Sequence, residues 1–128
     1  MQAIADRIVL CRLDEIPKPG SRGLSVACGD RTHDIFLVRT AAGVFGYLNS
    51  CPHTGAPLDW LPDQFLSLDQ NHIQCAMHAA LFSVHDGICV AGPCSGDALI
   101  PVPLVIDADA VYLLLREFCA RRRSAGLP

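Results

Sequence analysis

Apolar residues occur in short runs along the chain, alternate with polar residues within those runs, and are interrupted by turn residues about every 8 to 12 positions. Successive side chains of a strand point to opposite faces, whereas a helix buries every third or fourth position, so this pattern predicts strands. We therefore expect an all-β domain of antiparallel strands. The predicted strands are 4–13, 24–28, 32–40, 44–48, 65–68, 72–75, 81–84, 88–90, 102–106 and 111–116.

Prolines and glycines are concentrated in the middle of the chain, where Pro52, Gly55 and Pro57 follow one another closely. These residues favour turns and structured loops over regular elements. The basic end of the chain is expected to form a frayed tail. The expected single domain consists of a base scaffold at about 1–48 and 99–118, an inserted loop-rich unit at about 49–98, and a tail at 119–128.

The composition excludes several classes of protein. The 128 residues are 51% hydrophobic and 18% charged, which suits one folded domain and excludes a disordered chain. The net charge of −3 argues against a nucleic-acid partner, because phosphate binding requires a basic face. No apolar run reaches the roughly 18 residues of a membrane helix, and no signal peptide is recognisable. We therefore expect neither a nucleic-acid partner nor a membrane anchor.

Seven cysteines are many for a chain of this length, and their number is odd. Without an export signal, this count favours metal binding or free thiols in a reducing compartment, and hence a cytoplasmic protein, over a disulfide framework. Cys11 and Cys28 lie on apolar strands and are expected to be buried free thiols. Cys89 and Cys94 are five positions apart across a loop, so a disulfide between them stays open.

Two matched pairs of metal-ligand residues lie in the loop-rich middle of the chain: Cys51-Pro52-His53 and Cys75-Ala76-Met77-His78. Two thiolates and two imidazoles that converge can hold a zinc ion or a [2Fe–2S] cluster. A zinc finger usually groups its two cysteines together and then its two histidines. Here each loop offers one cysteine and one histidine, which suits a cluster with both thiolates on one iron and both imidazoles on the other.

The two pairs, their surroundings and a third, proline-containing loop resemble the Rieske [2Fe–2S] family. The resemblance implies a Rieske-like fold of antiparallel sheets with an inserted cluster-binding subdomain and one [2Fe–2S] cluster. It implies that Cys51 and Cys75 bind the inner iron, and that His53 and His78 bind the outer one. Ala79 stands where the family usually has glycine. The matching segments are CPHTGAPL at 51–58, CAMHAALF at 75–82 and GPCSGDAL at 92–99.

The resemblance also indicates the reduction potential. High-potential members carry a serine and a tyrosine whose hydroxyls donate hydrogen bonds to the cluster sulfurs and raise the potential. Ala80 and Phe82 stand at these positions and cannot donate. A potential at the low end of the Rieske range, nearer about −150 mV than +300 mV, is therefore expected.

The function implied is that of a low-potential Rieske-type ferredoxin, an electron-transfer component and not itself an enzyme. It would take one electron from a flavoprotein reductase and pass it to a terminal oxygenase. The 128 residues leave no room for the catalytic domain of such oxygenases, whose mononuclear iron needs two histidines and a carboxylate. Two alternatives stay open: a Rieske-like relay subunit of a larger redox enzyme, and a small zinc-binding interaction module.

Overall fold

The computed structural model describes residues 7–52, 57–59, 61, 63–75, 80–92 and 96–125. Strands dominate this part of the chain, and every pairing between them is antiparallel, so the predicted all-β class is confirmed. The elements are β1 (Arg7–Arg12), a short 3-10 helix (Leu13–Glu15), β2 (Gly20–Cys28), β3 (Arg31–Thr40), β4 (Gly43–Leu48), β5 (His72–Gln74), β6 (Leu81–Ser83), β7 (Cys89–Ala91), β8 (Leu104–Asp107), β9 (Ala110–Leu114) and α1 (Leu115–Ala125).

The strands form three sheets of three, with the orders β1-β9-β8, β2-β3-β4 and β5-β6-β7. The chain divides into two compact units. The first combines residues 1–15 with 102–128, and the second is the continuous segment 16–101. The boundaries of these units differ from those of the expected base scaffold and inserted loop-rich unit. The expected division stays a prediction.

In the first unit, β8 and β9 form the hairpin that the sequence predicts. Its turn passes through Ala108 and Asp109, both with positive φ, as a two-residue hairpin turn requires. β1 pairs with β9 from Arg7 opposite Leu114 onward, and a bulge interrupts the ladder between Val9 and Cys11. The non-local partner of β1 is thus a strand from the far end of the chain.

The expectation of a frayed tail at 119–128 is wrong for residues 119–125, because α1 continues to Ala125. Leu115, Phe118 and Cys119 have the spacing of one helix face, and the last two are buried. The predicted strand 111–116 accordingly ends at Leu114.

No helix in the described residues is long and apolar enough to cross a membrane.

The second unit contains the larger sheet, β2-β3-β4, and the small sheet, β5-β6-β7. β3 lies in the middle of the larger sheet, and its residues 35–38 are completely buried. The Phe36 ring on β3 stacks on the Phe65 ring at 4.3 Å, with the two ring planes nearly parallel. One continuous core results. Its members are Phe36, Val38, Tyr47, Cys51, Leu58, Phe65, Leu66, Ile73, Cys75, Ala80, Phe82, Val84, Cys89 and Leu99.

Tyr47 supplies a buried hydroxyl to this core, where it donates a 2.6 Å hydrogen bond to the carbonyl oxygen of Val84. Burial, and then the negative charge of Asp86, raise the pKa of Tyr47 from near 10 to about 12. The unfolded chain loses this proton at about pH 10, and the folded chain holds it until about pH 12. Stability is therefore expected to fall as the pH rises through this window.

Tyr47→Phe is expected to lower the free energy of unfolding by about 1–2 kcal/mol at neutral pH, since the Val84 carbonyl loses its partner. It should also remove the alkaline loss of stability between about pH 10 and 12. Urea unfolding at a series of pH values measures both effects. Tyr112→Phe, at the second of the two tyrosines, is the matched control. If the stability of Tyr47→Phe still fell between about pH 10 and 12 as it does in the wild type, this account would be contradicted.

Candidate metal centre

Cys51 and Cys75 each follow a strand of the second unit, Cys51 after β4 and Cys75 after β5. Neither is disulfide-bonded, their exposed fractions are 1% and 0%, and both belong to the one core described above. The structure thus brings the two predicted cysteine ligands into the same buried region. His53 and His78, the other two predicted ligands, and Ala79 lie outside the described residues.

The loop that contains Cys51 leaves the larger sheet at Asn49 and returns to the core at Leu58. The Asn49 side chain accepts a 2.7 Å hydrogen bond from the Leu58 backbone N–H and donates one of 3.1 Å to the Asp59 carboxylate. Leu58 is fully buried. One amide side chain therefore joins the two limbs of this first loop.

The second loop starts at Cys75, whose backbone N–H donates to the Ala80 carbonyl at 2.9 Å. This bond closes the loop at its base, where both residues are completely buried. The segment after β7 packs directly against this base. A Cβ on Gly92 would lie only 2.8 Å from Ala80 Cα, and Gly92 has φ +98°, so the position requires glycine. The predicted third loop thus begins in contact with the second, although Pro93, Cys94 and Ser95 lie outside the described residues.

The remaining described cysteines differ in state. Cys11 is buried and not disulfide-bonded, as expected. Cys89 is a buried free thiol whose Sγ donates to the Ala91 carbonyl at 3.3 Å, so the possible disulfide to Cys94 does not form. The expectation for Cys28 is wrong: it is half-buried at the end of β2 and disulfide-bonded, as is Cys119. Cys28 is the last residue of β2, so its side chain is less enclosed than one in the strand interior and is accessible to a second cysteine.

A second polar group supports the chain beyond the first loop. Asp63, which has a positive φ, accepts a 2.7 Å hydrogen bond from the Gly23 N–H through its carboxylate and a 2.6 Å bond from the Ser21 hydroxyl through its carbonyl. Asn49 and Asp63, with the neighbouring Asp34 and Asp59, line a cleft of about 360 Å³. The sequence analysis missed Asn49 and Asp63. Their signal is weak, since Asn and Asp are common in turns of every kind.

The donor set in this region fits an iron–sulfur group. Thiolate is the ligand that such clusters use, and two buried cysteines that lie in one core without a disulfide between them can supply it. Ala80 and Phe82, which lie at and after the base of the second loop, are completely buried and carry no hydroxyl. Within the described residues, no three His, Cys, Asp or Glu side chains gather as a metal site.

Solved structures with this fold include two ferredoxins and an oxygenase. The chain is similar to the ferredoxin of carbazole 1,9a-dioxygenase from Nocardioides aromaticivorans IC177, with 20% identity and a TM-score of 0.64 over 84% of this chain and 95% of that one. It is similar to a Sphingomonas yanoikuyae B1 ferredoxin, with 21% identity and a TM-score of 0.63 over 84% and 96%.

The terminal oxygenase of carbazole 1,9a-dioxygenase from Novosphingobium sp. KA1 gives 18% identity and a TM-score of 0.69, over 85% of this chain and 29% of the oxygenase. At these identities the similarity establishes the fold. No curated protein matches the chain by sequence. The model of the Rieske [2Fe-2S] domain matches residues 6–108, which include both Cys/His pairs and all three loops. The chain therefore belongs to the Rieske [2Fe–2S] domain family.

Proposed function

We propose that this protein is a one-electron carrier that takes electrons from a flavoprotein reductase and passes them to a terminal oxygenase. The observation that carries the proposal is the burial of Cys51 and Cys75 in one core, neither of them disulfide-bonded, within the residues that the family model matches. In this proposal one [2Fe–2S] cluster is held by Cys51, His53, Cys75 and His78. When bound, such a cluster supplies reversible one-electron transfer.

The four proposed ligands have two different tasks. Cys51 and Cys75 would hold the inner iron, and their burial suits that place, because it keeps water from the sulfur ligands. His53 and His78 would hold the outer iron. The closed loop bases at Asn49 and Cys75 restrict how far the chain can rearrange around the ligands. A site that changes charge by one unit with little movement of the protein suits an electron carrier.

The extent of the structural matches supports a carrier over a catalytic component. The chain covers 95–96% of two ferredoxins and 28–29% of several oxygenase chains. A cytoplasmic location belongs to the same proposal. It is supported by Cys51 and Cys75, which are not disulfide-bonded, whereas the disulfide-bonded Cys28 and Cys119 count against it.

A fixed relay within a larger redox enzyme is the second candidate. It is favoured by the similarity to a segment of the oxygenase chains, with TM-scores of 0.69 and 0.70. A relay of this kind would remain bound to its catalytic partner, whereas a carrier exchanges between two partners. The association state and the response to a separate reductase distinguish the two.

The test is spectroscopic and kinetic. The purified protein is expected to be red-brown and, after reduction by dithionite, to give a rhombic EPR signal; a colourless, EPR-silent protein that contains zinc would overturn the cluster assignment. Size-exclusion chromatography and stopped-flow absorption then test the role. A monomer that a flavoprotein reductase reduces, and that an oxidised oxygenase reoxidises, is expected. Copurification with a catalytic subunit, without exchange, supports the relay.

A further inference from the structure

The first loop is fixed at both ends by one residue, Asn49. Its backbone N–H donates a 2.9 Å hydrogen bond to the Asp34 carbonyl, one step beyond the paired residues Leu48 and Ile35, and so extends the ladder between β4 and β3. The chain leaves the sheet immediately afterwards. The backbone of Asn49 is therefore held by β3, the middle strand of the larger sheet.

From this fixed position the side chain reaches the returning limb of the loop. Asn49 Oδ1 accepts from the Leu58 N–H at 2.7 Å, and Asn49 Nδ2 donates to Asp59 Oδ1 at 3.1 Å. The segment between these two points contains the first Cys/His pair. Cys51 and Leu58 have exposed fractions of 1% and 0%. They lie in the same core, so the thiol and the residue that Asn49 binds are packed together in one cluster.

The two bonds place strict chemical demands on position 49. The Leu58 N–H needs an acceptor, and the Asp59 carboxylate needs a donor, at a distance that a short side chain can span. An amide offers one acceptor and two donors, and asparagine holds that amide on a single methylene. Alanine offers neither group. A carboxylate offers the acceptor but places a second negative charge beside Asp59.

We propose that Asn49 is a positioning residue for the metal centre: its two hydrogen bonds hold together the ends of the loop that contains Cys51 and His53. This inference rests on the proposed function, because the loop shape matters to a cluster only if these residues are its ligands. Asn49 acts through the backbone of Leu58 and the carboxylate of Asp59, and does not touch the cluster itself. Groups of this kind, one step removed from the ligands, typically change metal affinity about 10- to 100-fold.

The decisive experiment exchanges the two ends of the Asn49–Asp59 bond. Asn49→Ala removes both bonds, and Asn49→Asp keeps the acceptor but opposes two carboxylates. The double variant Asn49→Asp/Asp59→Asn restores an acceptor for the Leu58 N–H and an amide–carboxylate bond, with the net charge of the wild type. Asn71→Ala, at the second of the two asparagines, is the matched control, because Asn71 lies in the turn before β5.

For each purified holoprotein, the rate of cluster loss to an iron chelator is followed by the bleaching of visible absorption, and the midpoint potential is titrated. Asn49→Ala and Asn49→Asp are expected to lose the cluster at least about tenfold faster than the wild type and to shift its potential. The double variant is expected to return both properties to near wild-type values, and Asn71→Ala to leave them unchanged.

A wild-type protein without a cluster would contradict the proposed function and leave nothing for Asn49 to position. A wild type with the expected spectrum, but with Asn49→Ala equal to it in loss rate and potential, would overturn the role of Asn49 alone. A faster loss that the double variant does not repair would also overturn it, because the two bonds would then not be the cause. Thermal unfolding of the apoproteins separates a general loss of stability from these effects.

Discussion

Cys75→Ala is expected to yield a protein without visible colour, without the rhombic EPR signal and with little bound iron, and Cys51→Ala should behave alike. Each of these thiols is buried in the core of the second unit, and no other described cysteine lies on a loop of a Cys/His pair. A cluster that loses one thiolate keeps an iron with an incomplete ligand set in a place that water hardly reaches. His53→Ala and His78→Ala should remove the spectrum as well.

The matched control for these variants is Cys89→Ala. Cys89 is also a buried free thiol in the same core, yet its Sγ is engaged with the Ala91 carbonyl. The spectrum and the iron content of Cys89→Ala are expected to equal those of the wild type. Iron analysis and absorption spectra suffice to decide. Retention of the cluster by Cys51→Ala, or its loss from Cys89→Ala, would show that the ligands are assigned wrongly.

The midpoint potential of the wild type is expected near about −150 mV and well below zero. Ala80 and Phe82 are completely buried at and after the base of the second loop, and neither has a hydroxyl to donate. Reduction adds a negative charge, and hydrogen bonds to sulfur stabilise that charge and raise the potential. A chain without those donors therefore holds its electron less tightly. A redox titration that places the midpoint above zero would contradict this prediction.

Ala80→Ser and Phe82→Tyr are expected to raise the potential, each by about 60 mV or more. A hydrogen bond to a charged group contributes about 1.5 kcal/mol or more, and for a one-electron couple that energy shifts the potential by about 65 mV. Phe45→Tyr is the control, because Phe45 lines a separate cleft with Lys18 and His85. Titration of the three variants beside the wild type measures the effect. An equal shift in Phe45→Tyr would mean that a hydroxyl anywhere in the core suffices.

The sequence predicted most of the strands because alternation and turn residues are local signals. The turn at Asp107-Ala108-Asp109 was recognisable from its residues alone, and the structure places the hairpin there. The start of β2 was not, because Gly20 and Gly23 usually indicate a turn. They stay extended because β2 pairs along its whole length with β3, and because Asp63 binds the Gly23 N–H from a distant segment. Such non-local bonds leave no mark in the local pattern.

Helix α1 was missed for a different reason. The three consecutive arginines at 121–123 suggested a solvated tail, although Leu115, Phe118 and Cys119 already have helical spacing. Burial of Phe118 and Cys119 outweighs the charge of the neighbouring residues. The helical spacing of apolar residues was therefore present in the sequence. It covers only one turn, and the arginines that follow it obscured the pattern.

For the metal centre, cysteine and histidine at fixed spacing have few other uses, so the sequence predicts four ligands, and that assignment stays a prediction. The burial of Cys51 and Cys75 agrees with that prediction. The supporting groups could not be predicted. Asn49 serves through one side chain that meets Leu58 and Asp59, nine and ten positions later. An asparagine before a turn has the same appearance in a sequence whether it closes a loop or only faces solvent.

The pairing of β1 with β9 has a consequence for synthesis of the chain. Arg7 pairs with Leu114, so at roughly 5–20 residues per second β1 waits for several seconds on the ribosome before its neighbouring strand has been made. The segment 16–101, which contains Cys51 and Cys75, forms one continuous compact unit. We therefore expect the segment with the proposed cysteine ligands to be complete in a nascent chain while β1 still lacks its neighbour.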